Sequence, residues 1–281
     1  ANPPSGARLY YHLAEAPTTD EALTIDILDA AGERVRRFSS EETEHERCLA
    51  HNEDPRNPYR PDYPPAEAGL NHWDWRGDRD PFTCVRDITL FAGLRGPRVE
   101  PGNYTARIEV GGKRAETTFQ LLDDPRRQAS PEDRREWAAR VEETADLLER
   151  LLTALGELRS TRDQVQALMA VHSDQAELQT AGQAVLDAIE AWDHSVIQPL
   201  HETYEDEDAW ETMLAGQVRF LLDGIEESGA PVTAGALDRL RDLQAEFDVL
   251  EREKARIENE GVAAINRWAR ERGIPYIATG G

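Results

Sequence analysis

Ser130-Pro131-Glu132-Asp133 opens the stretch that decides the fold. The serine can accept from orphan N-terminal amides, the proline has no amide to leave unpaired, and the acids sit at the positive end of a helix dipole. Behind this start Trp137, Val141, Ala145, Leu148, Leu152, Leu155, Leu158, Val165 and Leu168 recur at steps of three, four or seven. Such spacing places them on one stripe of an amphipathic helix of roughly ten turns. A second run repeats the device: Thr233 stands as a cap after Pro231, and Leu237, Leu240, Leu243, Phe247, Leu250, Ile257, Ala264, Ile265 and Trp268 follow before Gly273 and Pro275. Glycine then proline is the expected C-terminal punctuation. A third helical region lies between them, from Ser173 to Gln198, broken at Pro199 and resuming from Trp210 through Ile225. Helices longer than the average of about twelve residues bury such stripes on each other, which predicts an elongated antiparallel helical bundle over residues 130–281.

Working outward, residues 7–122 alternate with a period of two, as half-buried antiparallel strands do. Leu23, Ile25 and Ile27 share one face, and Tyr104, Ala106, Ile108 and Val110 alternate with Thr105, Arg107 and Glu109. Ala115, Thr117, Phe119 and Leu121 repeat the pattern after Gly111-Gly112, a pair suited to the positive backbone angles of a tight hairpin. Residues 39–68 carry S-S-E-E-T-E-H-E-R and then Pro55, Pro58, Pro61, Pro64 and Pro65, so they read as a long surface excursion rather than a strand. The expected organisation is a β domain over 1–122, a linker over 123–129 and the helical domain over 130–281, an α+β multidomain chain.

Composition excludes several functions. The 281 residues carry 55 Asp and Glu against 32 Lys and Arg, a formal net charge of -23. A surface of that sign repels phosphate backbones and anionic lipid, which argues against nucleic-acid and membrane-surface partners. Lys113 and Lys254 are the only lysines, and an acidic, arginine-rich composition is compatible with a high-salt or high-GC source. No run of about eighteen apolar residues could span a bilayer, and no basic segment precedes an apolar one as in a signal peptide. The start at Ala1 rather than Met reads as a processed product or an excised piece of something longer.

No phosphate loop, dinucleotide fingerprint or G-x-S-x-G nucleophile elbow occurs. His172, His194 and His201 stand without a nearby Ser or Cys nucleophile. Two acids could serve a glycosidase, but among 55 acids proximity means little, and the helical ones fall on polar faces suited to pairing with arginine. The E-D-E-D run at 205–208 lacks calcium-loop spacing and reads as an acidic loop. No residue is singled out as catalytic and no cofactor is implied.

Three stretches carry a resemblance. The runs L-T-I-D-I-L-D-A-A-G-E-R-V-R-R-F (23–38), A-G-L-N-H-W-D-W (68–75) and P-G-N-Y-T-A-R-I-E-V (101–110) resemble the immunoglobulin-like domain also seen in flagellar hook-cap proteins. The whole chain resembles the C-terminal region of large secreted β-propeller proteins of the BNR-repeat, sortilin-like class, often labelled glycosyl hydrolase. There a G-L-N-x-x-x-W strand, an R-G-P-x-x-x-P-G-x-Y-T motif and a terminal A-x-N followed by G-x-P occur in order, matching Gly69–Trp75, Arg95–Thr105, Ala264–Asn266 and Gly273–Pro275. The family follows its strand Trp with Asp, whereas Trp75 is followed by Arg76, so a role for that acid does not carry over. The propeller that would hold a hydrolase site is not among these residues, and the glycosidase label does not transfer.

The resemblance implies an immunoglobulin-like antiparallel β-sandwich before the bundle, an extracytoplasmic setting and an N-terminal propeller as the packing partner; the length of the helical stripes, separately, motivates homo-oligomers through the helices. In that setting Cys48 and Cys84 are expected to form a disulfide between the proline-rich excursion and the sheet, with two buried thiols as the alternative. His45-x-x-Cys48-x-x-His51, with Cys84 or His72 within recruiting range, offers metal-ligand residue types but matches no standard zinc spacing. Metal-dependent hydrolysis at that loop is one alternative activity. Trp73 and Trp75 share one strand face: exposed, they would stack on a sugar ring and support a carbohydrate-binding or active-site-completing role, while buried they fill the sandwich.

Overall fold

The computed structural model describes residues 6–18, 21–52, 62–90, 93–123, 129–201, 206 and 209–279. The chain is α+β, with two small antiparallel sheets and long helices, and divides into two compact units. The helical residues through Ala145 and the segment Leu222–Val232 group with the strands, while Asp146–Leu221 and Thr233–Gly281, with Asp87–Ala92, form the helical unit. Pro55, Pro58 and Pro61, most of the linker expected at 123–129 and all but Asp206 of the 205–208 run lie outside the described residues.

In the first unit, β1 (Ala7–Leu13) pairs antiparallel with β4 (Gly69–Trp75), matching Leu9 to Trp73 and Ala7 to Trp75. The second sheet has the order β3-β2-β5-β6, from β2 (Thr24–Leu28), β3 (Arg34–Ser39), β5 (Gly102–Val110) and β6 (Lys113–Leu121). Gly111 and Gly112 turn the β5–β6 hairpin with φ of 53° and 70°, angles that a side chain disfavours and that match the twist of the flanking strands. One apolar cluster draws on both sheets: Leu9, Leu13 and Trp75 from the first, Leu23, Ile25, Ile27, Tyr104 and Ala106 on or beside the second. Within the residues read as an irregular excursion a short helix forms, α1 (Glu44–Leu49), started by a capping box in which Thr43 Oγ1 accepts from the Glu46 amide and the Glu46 carboxylate accepts from the Thr43 amide.

Helix α2 (Pro131–Val171) starts as expected, with the Asp133 amide donating to Ser130 Oγ and the Ser130 amide donating to Asp133. The Ser130 hydroxyl and then its amide, both donating to the Asp133 carboxylate, hold that carboxyl below its ordinary range. In the helical unit α2 is followed by α3 (Ala176–Val196), the start of α4 (Leu214–Ser228), α5 (Ala234–Arg256) and α6 (Ala263–Glu271). Thr233 caps α5 through the Ala236 amide at 3.2 Å, while α4 starts four residues after Trp210, which is 47% exposed.

Contacts fix the helix directions and correct the antiparallel pairing expected of the two long segments. Arg150 meets Glu251 at 2.6 Å, Glu157 meets Lys254 at 2.9 Å, and the His172 ring lies 5.7 Å from that of Trp268, so α2 and α5–α6 run the same way. Helix α3 opposes both: Arg159 holds Asp193, Gln179 donates to the Met169 carbonyl, and Trp192 donates to the Leu250 carbonyl. The third segment supplies the reversal, because a chain that goes out, back and out again returns its first and last rods in parallel.

Between α5 and α6 the helix widens into one π segment, Ile257–Val262. Ile257 and Val262 are both buried although they stand five apart, a step that would splay them on an α-helix and that the wider turn brings onto one side. The stripe therefore continues through Val262, Ile265, Trp268 and Ala269, and Ala264, expected on it, is exposed. Helix α3 passes so near this widened turn that a Cβ on Gly261 would stand 2.7 Å from Val185 Cγ2.

Candidate functional site: a buried glutamate and the arginine cleft beside it

The motif residues come to rest in the first unit as parts of one framework. Asn71 closes the turn into β4 by donating to the Glu67 and Gly69 carbonyls. Trp75 is fully buried, and its indole N–H donates to the Asp78 carbonyl at 2.8 Å. The Tyr104 hydroxyl donates to the Glu100 carbonyl at 2.6 Å, fixing the approach to β5, and burial pushes that phenol up from its ordinary value. In the other unit Asn266 makes a two-bond clasp with the backbone of Ile277 and so pins the segment after Gly273 and Pro275.

The R-G-P-R loop, residues 95–98, is held most firmly. Gly96 lies against the backbone of Arg79 and Asp80, where a Cβ would come within 2.1 Å of the Asp80 oxygen. The Pro97 carbonyl accepts from the Arg79 amide at 2.8 Å. Glu226 of α4, 3% exposed, receives the Arg95 guanidinium at 2.7 Å and the Arg98 amide at 2.7 Å, while Asp223 takes Arg95 at 3.1 Å. For Arg95 burial is the largest influence and lowers the pKa; the bond to Glu226 and the charges of Glu226, Asp223 and Asp78 outweigh it and leave a net rise. A buried carboxylate with two charge-directed donors is a structural anchor.

Glu226→Ala leaves the Arg98 amide without its acceptor and Arg95 with Asp223 alone. Because Arg95 is about one third exposed and can turn to water, the expected loss is about 2–3 kcal/mol, less than for a fully buried pair. Urea unfolding followed by near-UV circular dichroism measures it, and a loss under about 0.5 kcal/mol, the size of an ordinary surface change, would remove the anchor role.

Beside this anchor is a cleft of about 280 Å³ whose walls include Arg79, Arg98, Arg135 and Glu142 over an apolar floor of Trp137 and Val141. Arg79 is engaged by Glu142 at 3.1 Å, and the Trp137 indole N–H donates to the Ile225 carbonyl at 2.8 Å. Among the described residues that line it there is no Ser, Thr, Cys, Lys or His; its polar side chains are the guanidinium groups of Arg79, Arg98 and Arg135 and the carboxylates of Glu100 and Glu142.

The other candidates fall elsewhere. Cys48 and Cys84 form a disulfide, with Cα atoms 6.1 Å apart, which leaves Cys48 no thiolate to join His45 and His51 on a metal. Among the described residues no group of three or more His, Cys, Asp or Glu side chains is placed to hold a metal ion. His51 is exposed at the end of the α1 segment, and His72 lies on the outer face of β4, 6.0 Å from the Tyr10 ring. Trp73 is half-buried edge-on to Phe38 at 5.3 Å, so with Trp75 it faces the shared core; those strands turn outward Arg8, Tyr10, His12, Leu70, His72 and Asp74.

Glu226 was missed at the sequence level, although a signal existed. Arg219 and Glu226 stand seven apart on the same face of α4 as Leu222 and Ile225, so both charges occupy positions of an apolar stripe and both are buried. A charge in such a position marks a built interaction.

Compared with known proteins, the chain matches no family model and no curated protein.

Proposed function

We propose that this chain is a non-catalytic packing module, an immunoglobulin-like β-sandwich joined to an elongated helical bundle, that serves as the accessory or docking part of a secreted β-propeller protein. The observation that carries this reading is the use made of the motif residues. Asn71, Trp75, Arg95, Gly96, Tyr104 and Asn266 are each committed to a backbone or core contact. A motif whose members hold backbone in place is a motif for shape. The single apolar cluster shared by the two sheets supports the sandwich, and the runs of paired contacts along α2, α3 and α5 support the bundle.

The Cys48–Cys84 bond supports an extracytoplasmic setting, since such bonds persist where the medium is oxidising. Large apolar side chains left at the surface, Val249 at 55% and Val171 at 76% on the helices and Leu70 at 74% on β4, support packing on a partner or a second copy. Sedimentation velocity across a concentration series, run beside a glycan array, tests the reading. Concentration-dependent self-association without a glycan ligand is expected. A strict monomer that binds one glycan class, with binding lost on changing Trp73, would transfer the function to carbohydrate recognition.

A further inference from the structure

We propose that the cleft between the R-G-P-R loop and the first turns of α2 binds a small carboxylate with an apolar body, its carboxylate taken by Arg98 and Arg135 and its body laid on Trp137 and Val141. This goes beyond the packing role and does not depend on it.

The first support is charge. The cleft gathers Arg79, Arg98 and Arg135 against Glu100 and Glu142, an excess of one positive charge in a chain whose net charge is -23. Local guanidinium density against a repulsive far field selects a small monoanion, because each added negative charge meets the field of the whole surface. The second support is the state of the three arginines. Arg79 is tied to Glu142. Arg98 has its backbone fixed by Glu226 while its side chain is 55% exposed and 3.8 Å from that carboxylate, too far for a hydrogen bond. Arg135 is exposed and has no ion-pair partner among the described residues. Two donor forks therefore reach the opening, one on a rigid root, as bidentate capture of a carboxylate needs.

The third support decides what the rest of the ligand is. The polar atom of Trp137 is already used by the Ile225 carbonyl, so the indole offers the cleft its carbon surface, beside Val141. Trp137 and Val141 are 9% and 3% exposed, so the apolar area still open is small and is shared with Ala138 and the exposed Ala139; inorganic phosphate or acetate leaves it bare, whereas an aromatic or branched carboxylate covers it. A volume of about 280 Å³ is at the low end for ligand pockets and suits a body about the size of one ring.

Isothermal titration of the full chain at low ionic strength, with benzoate, acetate and inorganic phosphate as separate probes, tests the proposal. Benzoate is expected to bind saturably at one site and at least several-fold more tightly than acetate or phosphate. Arg135→Ala and Arg98→Ala are each expected to weaken it about tenfold, as the loss of one charge-assisted contact does. Arg135→Ala removes an exposed side chain, so its unfolding curve should match the parent, which separates lost binding from lost fold. Benzoate affinity unchanged in Arg135→Ala, phosphate binding as tight as benzoate, or no saturable benzoate binding would each overturn the assignment.

Discussion

Trp75→Ala is expected to remove about 4 kcal/mol of stability from the strand unit, the largest loss of any single substitution in its sheets. The side chain is fully buried, edge-on to Tyr104 at 5.3 Å and to Phe119 at 5.9 Å, so truncation empties a ring-sized space bordered by aromatic groups that cannot collapse into it. The loss reaches beyond packing. The indole N–H is the donor to the Asp78 carbonyl, and Asp78 forms the isolated bridge with Arg98, the last residue of the R-G-P-R loop beside the cleft. Trp75→Phe keeps most of the apolar volume and deletes only the donor, so it should fall to about 1–2 kcal/mol. Since a whole domain is stable by about 5–15 kcal/mol, the alanine variant should lose between about a quarter and four-fifths of that and lower the urea midpoint in proportion, read by near-UV circular dichroism. Equal losses for the two variants would show that the hydrogen bond, and not the ring, holds the region together.

The same residue shows how far the sequence could be read. Period-two spacing put Trp73 and Trp75 on one face, and that is where they are, yet alternation could not say which face met the core; the rings of the second sheet, Phe38 on Trp73 and Tyr104 and Phe119 on Trp75, show which. Helix starts were legible because caps are local chemistry: Ser130 and Thr233 need only the next three residues to act. The Thr43–Glu46 box carried the same local signature, but charge and proline around it suggested an irregular loop. What local pattern could not supply was direction and register over distance. A step of seven from Ile257 to Ala264 fits an α-helix, and the π segment makes Val262 the inward residue, because α3 presses on Gly261 from outside the run. The cleft was illegible for a like reason: Arg79, Arg98 and Arg135 stand apart in the chain, and their segments meet through contacts over distance, the Arg79 amide on the Pro97 carbonyl, Arg79 on Glu142 and the Arg98 amide on Glu226, 128 residues later.

Removing the disulfide is the second large expected effect, and its origin is in the unfolded chain. The Cys48–Cys84 bond closes a loop with a sequence separation of 36, for which chain-entropy accounting gives about 3–4 kcal/mol. The native side of the argument points the same way. Helix α1 has six residues and buries none of them, far short of what an isolated helix needs to persist in water. Just after α1, the Asn52 side chain donates to the Val85 carbonyl at 2.7 Å. The double variant Cys48→Ser, Cys84→Ser is therefore expected to lose about 3–4 kcal/mol in urea, with amide protection over Glu44–Leu49 vanishing before the rest of the unit opens. Reductant should shift the parent protein by the same amount and leave the double variant where it is. That pairing distinguishes a cross-link from two packed thiols: serine in place of a buried thiol disturbs packing under every redox condition, whereas only a bond makes the parent's stability depend on the reductant. A parent curve that does not move when reduced would assign both cysteines to packing, and α1 would then have to be held by surface contacts alone.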